Sequence, residues 1–126
     1  MTDETARNLA LALGLKTTGE YWFHPNGNYI LLATQKGYRH IRDGNDLAAW
    51  LNSAEGEKAA RDRVRDLAGR NSVAYFYEPC EKHRHSVCIS SGDEDDFKEH
   101  KMEAAAWQAA LEWLVEKGQS DAPVVS

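Results

Sequence analysis

The chain has 126 residues, of which 42% are hydrophobic and 28% charged, as expected for one globular domain that folds without disulfides or metals. Its formal net charge of -5 argues against a protein that grips the phosphate backbone of nucleic acids through charge. The sequence has no apolar run near the ~20 residues of a membrane span and no signal peptide, so we expect a cytoplasmic protein with reduced cysteines.

The charge is distributed unevenly along the chain. Residues 16–44 carry four basic and two acidic side chains, whereas residues 71–126 carry eleven acidic and five basic ones. The acidity is therefore concentrated in residues 71–126.

The first 44 residues contain signals for one helix and three strands. Thr2 is a helix N-cap, followed by acidic side chains that favour the helix N-terminus, and an apolar stripe predicts a helix over about 3–13 that ends at Gly14. Aromatic and β-branched runs then predict antiparallel strands near 21–23, 29–34 and 38–42. The turn residues His24-Pro25-Asn26-Gly27 and Gln35-Lys36-Gly37 separate these strands.

The remaining sequence predicts two helical regions around two strands. An apolar stripe through Leu47, Trp50 and Leu51 begins a helix that we expect to break near Ser53 and Gly56 and to resume as far as Gly69. Strands follow at 73–80 and 85–90. A final helix is predicted over 95–117, and its apolar residues cover so wide an arc that it should lie in a groove or contact two surfaces.

The predicted order of elements is α-βββ-α-ββ-α, which indicates an α+β fold with an antiparallel sheet packed by helices. We expect residues 1–118 to form a single domain and residues 119–126 to form a flexible C-terminal tail. Three apolar side chains on the helical stripes, Trp50, Trp107 and Leu111, are predicted to be buried.

One cluster of possible metal ligands lies at the tip of the second hairpin. It has the spacing C-x2-H-x-H-x2-C and consists of Cys80, His83, His85 and Cys88. Zinc prefers four nitrogen or sulfur ligands at tetrahedral corners, but zinc fingers draw their ligand pairs from distant parts of the sequence. A polar hairpin tip with half-buried thiols is the main interpretation; a zinc site and a cross-strand disulfide are the alternatives.

An acidic run precedes the predicted final helix and has two interpretations. It lacks the glycine and glutamate spacing of a calcium loop, so it either caps the helix or forms an anionic patch for a partner with a basic surface. The candidate contact residues are the run itself and two cations of the hairpin tip, namely Asp93, Glu94, Asp95, Asp96, Lys82 and Arg84.

Aromatic and imidazole side chains are frequent in the predicted N-terminal sheet. Sheet aromatics can stack on nucleic-acid bases, but basic residues are sparse here and we expect these side chains to belong to the core. They are Trp22, His24, Tyr29, Tyr38 and His40.

The DLAAWL helix, the two-stranded hairpin and the closing EAAAWQAALEWL helix resemble small phage proteins of the ABA-sandwich type over about residues 45–117. The resemblance implies a phage or prophage accessory protein that binds and blocks a host factor. The sequence has no nucleophile-elbow, Walker, zincin or dinucleotide-binding motif.

The hypothesis we carry forward is a small acidic interaction protein without enzymatic activity and without a cofactor. Its expected partner is a host nucleic-acid-handling or defence protein with a basic surface, and we do not expect it to bind nucleic acid or a membrane. One alternative is a small zinc-binding module built on the hairpin ligands, and another is a small enzyme whose site is assembled in space and carries no sequence motif.

Overall fold

In a computed structural model that describes residues 2–70, 73–80, 84–91 and 94–116, four helices pack around three small antiparallel sheets. The α+β class predicted from the sequence is confirmed. None of the helices in these described ranges is both long enough and apolar enough to cross a membrane.

The chain begins with helix α1 (Asp3–Ala12), whose first turn is capped by Thr2. The backbone N–H of Thr5 donates to Thr2 Oγ1 at 3.1 Å, which satisfies one of the amides that a helix N-terminus leaves open. Gly14 adopts a φ of 83°, a left-handed conformation that ends the helix as predicted. Two short strands follow and pair antiparallel, β1 (Lys16–Thr17) and β2 (Trp22–Phe23).

Strands β3 (Leu31–Thr34) and β4 (Gly37–His40) form a separate two-stranded sheet, which we call the β3–β4 hairpin. The predicted three-stranded sheet is therefore divided. The hairpin meets β2 only at its base, where the N–H of Ile30 donates to the Trp22 carbonyl at 3.2 Å. Ile30 and Ile41 are fully buried there, and Leu32 of β3 is half-buried against the core, whereas every residue of β4 is exposed. The core therefore holds the base of the hairpin and one side of β3.

Helices α2 (Gly44–Leu51) and α3 (Ala54–Arg70) are separated by the break predicted from the sequence. The backbone N–H of Gly56 donates to Ser53 Oγ at 3.3 Å, and the Ser53 hydroxyl donates to the Trp50 carbonyl at 2.5 Å. Ser53 thus ends one helix and caps the next. Helix α3 continues through Gly69 to Arg70, slightly past the predicted end.

The C-terminal part forms a three-stranded antiparallel sheet and a helix: β5 (Ala74–Cys80), β6 (Arg84–Ser91), β7 (Glu94–His100) and α4 (Glu103–Glu116). The prediction that the final helix begins near residue 95 was wrong. Seven consecutive residue pairs join β6 to β7, from Ser91 with Glu94 to His85 with His100. This continuous ladder outweighs the weak strand preference of the acidic residues, since strand formation depends mainly on tertiary context.

Helix α4 fills the centre of the fold, with α1 and α3 on one side and strands β6 and β7 on the other. The expectation that its wide apolar arc contacts two surfaces is confirmed. Trp50, Trp107 and Leu111 are 1%, 3% and 0% exposed, so the predicted burial of these three side chains is also confirmed.

Candidate interaction surface

The predicted metal ligands are spread along the hairpin of β5 and β6. Cys80 pairs with Arg84 in the backbone register, whereas Cys88 pairs with Phe76, and His83 lies outside the described residues. Cys80 and Cys88 are therefore displaced by four residues along the ladder, roughly 13 Å at the rise of a strand. A disulfide requires Cα atoms within about 7 Å and a zinc site requires both sulfur atoms on one ion, so this register favours the polar hairpin tip.

The two candidate ligands with described side chains have other surroundings. Residues 85 and 88 lie on opposite faces of β6, because side chains alternate along a strand. His85 Nδ1 lies 2.6 Å from the Tyr77 hydroxyl, while Cys88 is buried on the other face. In the part of the chain that the structure describes, no group of three histidine, cysteine or acidic side chains could hold a metal ion.

The acidic run lies on an edge strand and does not cap a helix. Glu94, Asp95 and Asp96 begin β7, which borders the sheet on one side, while Asp93 and Lys82 lie outside the described residues. Arg84 is engaged within the sheet, where its Nε donates to Glu99 at 2.6 Å. Charged residues on an edge strand discourage pairing with strands of other molecules, so we interpret the run as protection of this edge.

Neutralising the edge charges is expected to promote self-association. The triple substitution Glu94→Gln, Asp95→Asn and Asp96→Asn removes the charges that oppose edge-to-edge pairing. Light scattering should then detect aggregation at a lower protein concentration than for the wild type.

A control with the same change in net charge separates edge protection from general solubility. It replaces exposed glutamates of the helices, Glu4, Glu112 and Glu116, with glutamine. Equal aggregation of the two triple variants would contradict the assignment.

The most prominent exposed apolar surface of the described chain lies on one side of the β3–β4 hairpin. Leu31 pairs with His40 and Ala33 with Tyr38, and directly paired residues share a face of the sheet. Tyr29 precedes Leu31 by two residues and extends the same face. We call this surface the aromatic face, and it comprises Tyr21, Phe23, Tyr29, Leu31, Tyr38 and His40.

Ring contacts hold most of the aromatic face in a fixed arrangement. The rings of Tyr29 and His40 are stacked, with centroids 4.4 Å apart, and the Phe23 ring is tilted against Tyr29 with centroids 4.7 Å apart. Tyr21 approaches both Tyr29 and His40 edge-on, at 5.9 and 5.5 Å. Tyr38 lies farther along the hairpin and is 72% exposed. The face is thus a packed aromatic base with a protruding tyrosine.

The two arginines nearest the aromatic face already have carboxylate partners. Arg42 donates to Glu20 at 3.0 Å, and its guanidinium lies 5.3 Å from the centre of the Tyr21 ring. Arg39, on the opposite face of the hairpin, forms an ion pair with Asp46. The charges of both arginines are therefore balanced by carboxylates that belong to this chain.

From the sequence we predicted that the aromatic and imidazole side chains of the N-terminal sheet belong to the core. That assignment holds for Trp22, which is buried, and is wrong for Tyr29, Tyr38 and His40, which are exposed. The alternation of side chains along the strands could have separated the buried from the exposed members of this set. Ile30 and Ile41 are buried on the opposite face of the hairpin, so their neighbours Tyr29 and His40 must face outward.

Comparison of the chain with protein-family models, with curated proteins and with solved structures found no significant match.

Proposed function

We propose that this chain is a non-enzymatic interaction domain that binds a partner protein through the aromatic face of the β3–β4 hairpin. The observation that carries the proposal is the exposure of Tyr29 and Tyr38, at 49% and 72%, on a sheet of only two strands. An isolated two-stranded hairpin is marginally stable, and contiguous exposed apolar side chains often mark binding sites. A partner that covers this face would bury the aromatic side chains.

The composition of the aromatic face fits a protein partner better than a nucleic acid. Tyrosine and arginine are enriched among the residues that contribute most to protein–protein binding. Phosphate binding requires cations available to the ligand, whereas Arg42 and Arg39 are engaged by Glu20 and Asp46. Base stacking uses open ring faces, and the rings of Tyr29 and His40 each cover one face of the other, so Tyr38 is the most open ring of the set.

The proposal also covers the kind of protein that the aromatic face binds. We infer a host nucleic-acid-handling or defence protein that this chain inhibits in the cytoplasm. The resemblance of residues 45–117 to small phage accessory proteins supports that inference. The acidity of residues 71–126 supports a partner with a basic surface, because opposite charges accelerate encounter.

The test compares binding by variants of exposed aromatic residues on two different sheets. The double substitution Tyr29→Ala and Tyr38→Ala is expected to weaken partner binding roughly 30-fold or more, as removal of an interface hot spot does. Phe76→Ala is the matched control, since Phe76 is 52% exposed on β5. Partners captured by the wild type are identified, and their affinities for the three proteins are measured by titration.

The proposal requires that the hairpin variant lose a partner that the Phe76 variant retains. Equal affinities of all three proteins would contradict it. Circular dichroism of the double variant should match the wild type, because neither tyrosine contributes to the buried core.

A further inference from the structure

The three-stranded sheet has two edges of different character. Strand β7 forms one edge and begins with three consecutive acidic residues, whereas β5 forms the other edge. In the described part of the chain β5 pairs with β6 alone, so every second residue of β5 directs its backbone N–H and C=O groups away from the sheet. Groups of this kind form hydrogen bonds with another strand that reaches them.

The β5 edge lacks the charges that protect the β7 edge. Residues 74–77 read Ala-Tyr-Phe-Tyr and carry no charge, and Glu78 and Pro79 follow at the far end of the strand. Tyrosine and phenylalanine are strand formers. A long, uncharged edge strand is a template for pairing with another chain, whereas an edge with several carboxylates is not.

One face of β5 is also open to solvent. Tyr75 and Tyr77 contact Trp107 of α4, so their face is the one that the helices cover. The residues that alternate with them, at positions 74, 76 and 78, are exposed, and Phe76 is 52% exposed. A strand that pairs with this edge therefore gains the Phe76 ring as an apolar contact.

We propose that two copies of this chain associate through antiparallel pairing of their β5 strands. The pair forms one sheet of six strands, three from each copy, in the order β7-β6-β5-β5-β6-β7. A two-fold axis relates the copies, so the contact is closed after two chains. Both outer edges of this sheet are β7 with its acidic residues, which accounts for the charge on one edge of each chain and its absence on the other.

The sequence of β5 selects the register of the pairing. With Phe76 opposite Phe76 of the second copy, each tyrosine of one β5 faces the other tyrosine of the second β5, and Ala74 faces Glu78. Aromatic residues then meet across the axis and no like charges are opposed. An axis at Glu78 would instead oppose two carboxylates, and Pro79 has no N–H to donate to a neighbouring strand. Residues 74–78 are therefore the segment that pairs.

The dimer goes beyond the proposed function and does not depend on it. The aromatic face lies on another sheet, so a chain that has lost the dimer still presents it to a partner protein. The following experiments use this chain alone, so failure of the dimer and failure of partner binding are separate results.

Sedimentation velocity of the wild type tests the dimer directly. The protein is measured from about 1 to about 200 µM, the range in which contacts of modest area dissociate. We expect the weight-average mass to rise with concentration from that of one chain, 14.2 kDa, towards twice that value. A mass that stays at one chain over the whole range would overturn the proposal.

Phe76→Lys is expected to raise the dissociation constant roughly 10-fold or more, because it opposes two lysines at the centre of the contact. Tyr38→Lys is the matched control, since it introduces the same charge at an exposed aromatic residue of the β3–β4 hairpin. This control should dimerise like the wild type, and circular dichroism shows that both variants are folded. Equal dissociation constants for the two variants would contradict pairing through β5.

Two substitutions at Ala74 test the register. Because Ala74 faces Glu78 twice in the dimer, Ala74→Lys creates two pairs of opposite charge and Ala74→Glu creates two pairs of like charge. The lysine variant should dimerise roughly 10-fold more tightly than the glutamate variant. The same two substitutions at Ala33, which is exposed on β3, change the net charge equally and are the control. A difference at Ala74 no larger than that at Ala33 would overturn the proposed dimer.

Discussion

Replacing Trp107 with alanine is expected to lower the free energy of unfolding by about 3–5 kcal/mol, the usual cost of truncating a buried tryptophan. The Trp107 ring is 3% exposed and packs against Tyr75 and Tyr77 of β5. Its loss leaves a cavity between α4 and the sheet and removes the donor to Glu103. Urea denaturation followed by circular dichroism measures the change.

Two further variants separate the contributions of the Trp107 side chain. Trp107→Phe keeps an aromatic ring and loses the N–H, so it should cost less than the alanine variant. Tyr38→Ala removes an aromatic side chain that is exposed, and its unfolding free energy should stay within roughly 0.5 kcal/mol of the wild type. An unchanged denaturation midpoint for Trp107→Ala would refute the central role of this ring.

Gly56→Ala is expected to destabilise the protein by about 1–3 kcal/mol, the range for overpacking a core. A Cβ atom at Gly56 would lie 2.2 Å from the Trp50 carbonyl oxygen and 2.5 Å from that of Leu51. Both are backbone atoms, so side-chain rotation cannot relieve the clash and the end of α2 must move away from α3. Thermal and urea denaturation of the purified variant measure the loss.

The matched control for this variant is Gly69→Ala in the same helix. No atom lies within 4 Å of a Cβ at Gly69, and alanine favours the helical state over glycine by about 0.5–1 kcal/mol. Gly69→Ala should therefore be neutral or stabilising. If both variants changed stability equally, the close approach of α2 and α3 would not be what requires glycine at position 56.

Local signals in the sequence were sufficient to predict most of the helices and the buried side chains of the core. The cap at Thr2, the stop at Gly14 and the break near Ser53 each depend on a few neighbouring residues, and all three occur as predicted. Helical periodicity predicted that Trp50 and Trp107 are buried. The prediction is correct because each helix buries at least one apolar stripe.

Strand β7 shows where local signals fail. The run of Glu94, Asp95 and Asp96 resembles a helix start, and only pairing with β6 makes it a strand. The apolar periodicity that continues from Phe97 into α4 favoured one helix over the whole segment.

The residues of the candidate surface could be picked out from the sequence, but their exposure on one face of the hairpin could not be predicted. The sequence shows that Tyr29, Tyr38 and His40 occur on one predicted sheet, yet exposure depends on which face the helices cover. Helix α2 packs against β3, and the aromatic face is left uncovered. The partners of Arg39 and Arg42 likewise come from other segments, so these two ion pairs appear only in three dimensions.

The central position of α4 has a consequence for synthesis on the ribosome. This helix follows every other element of the described fold and buries eight of its residues, and it packs against α1, α3 and the sheet. The parts of α1 and α3 that pack against α4 therefore stay exposed while the nascent chain is still emerging. We expect the emerging chain to remain incompletely folded, and open to chaperone binding, until α4 has left the exit tunnel.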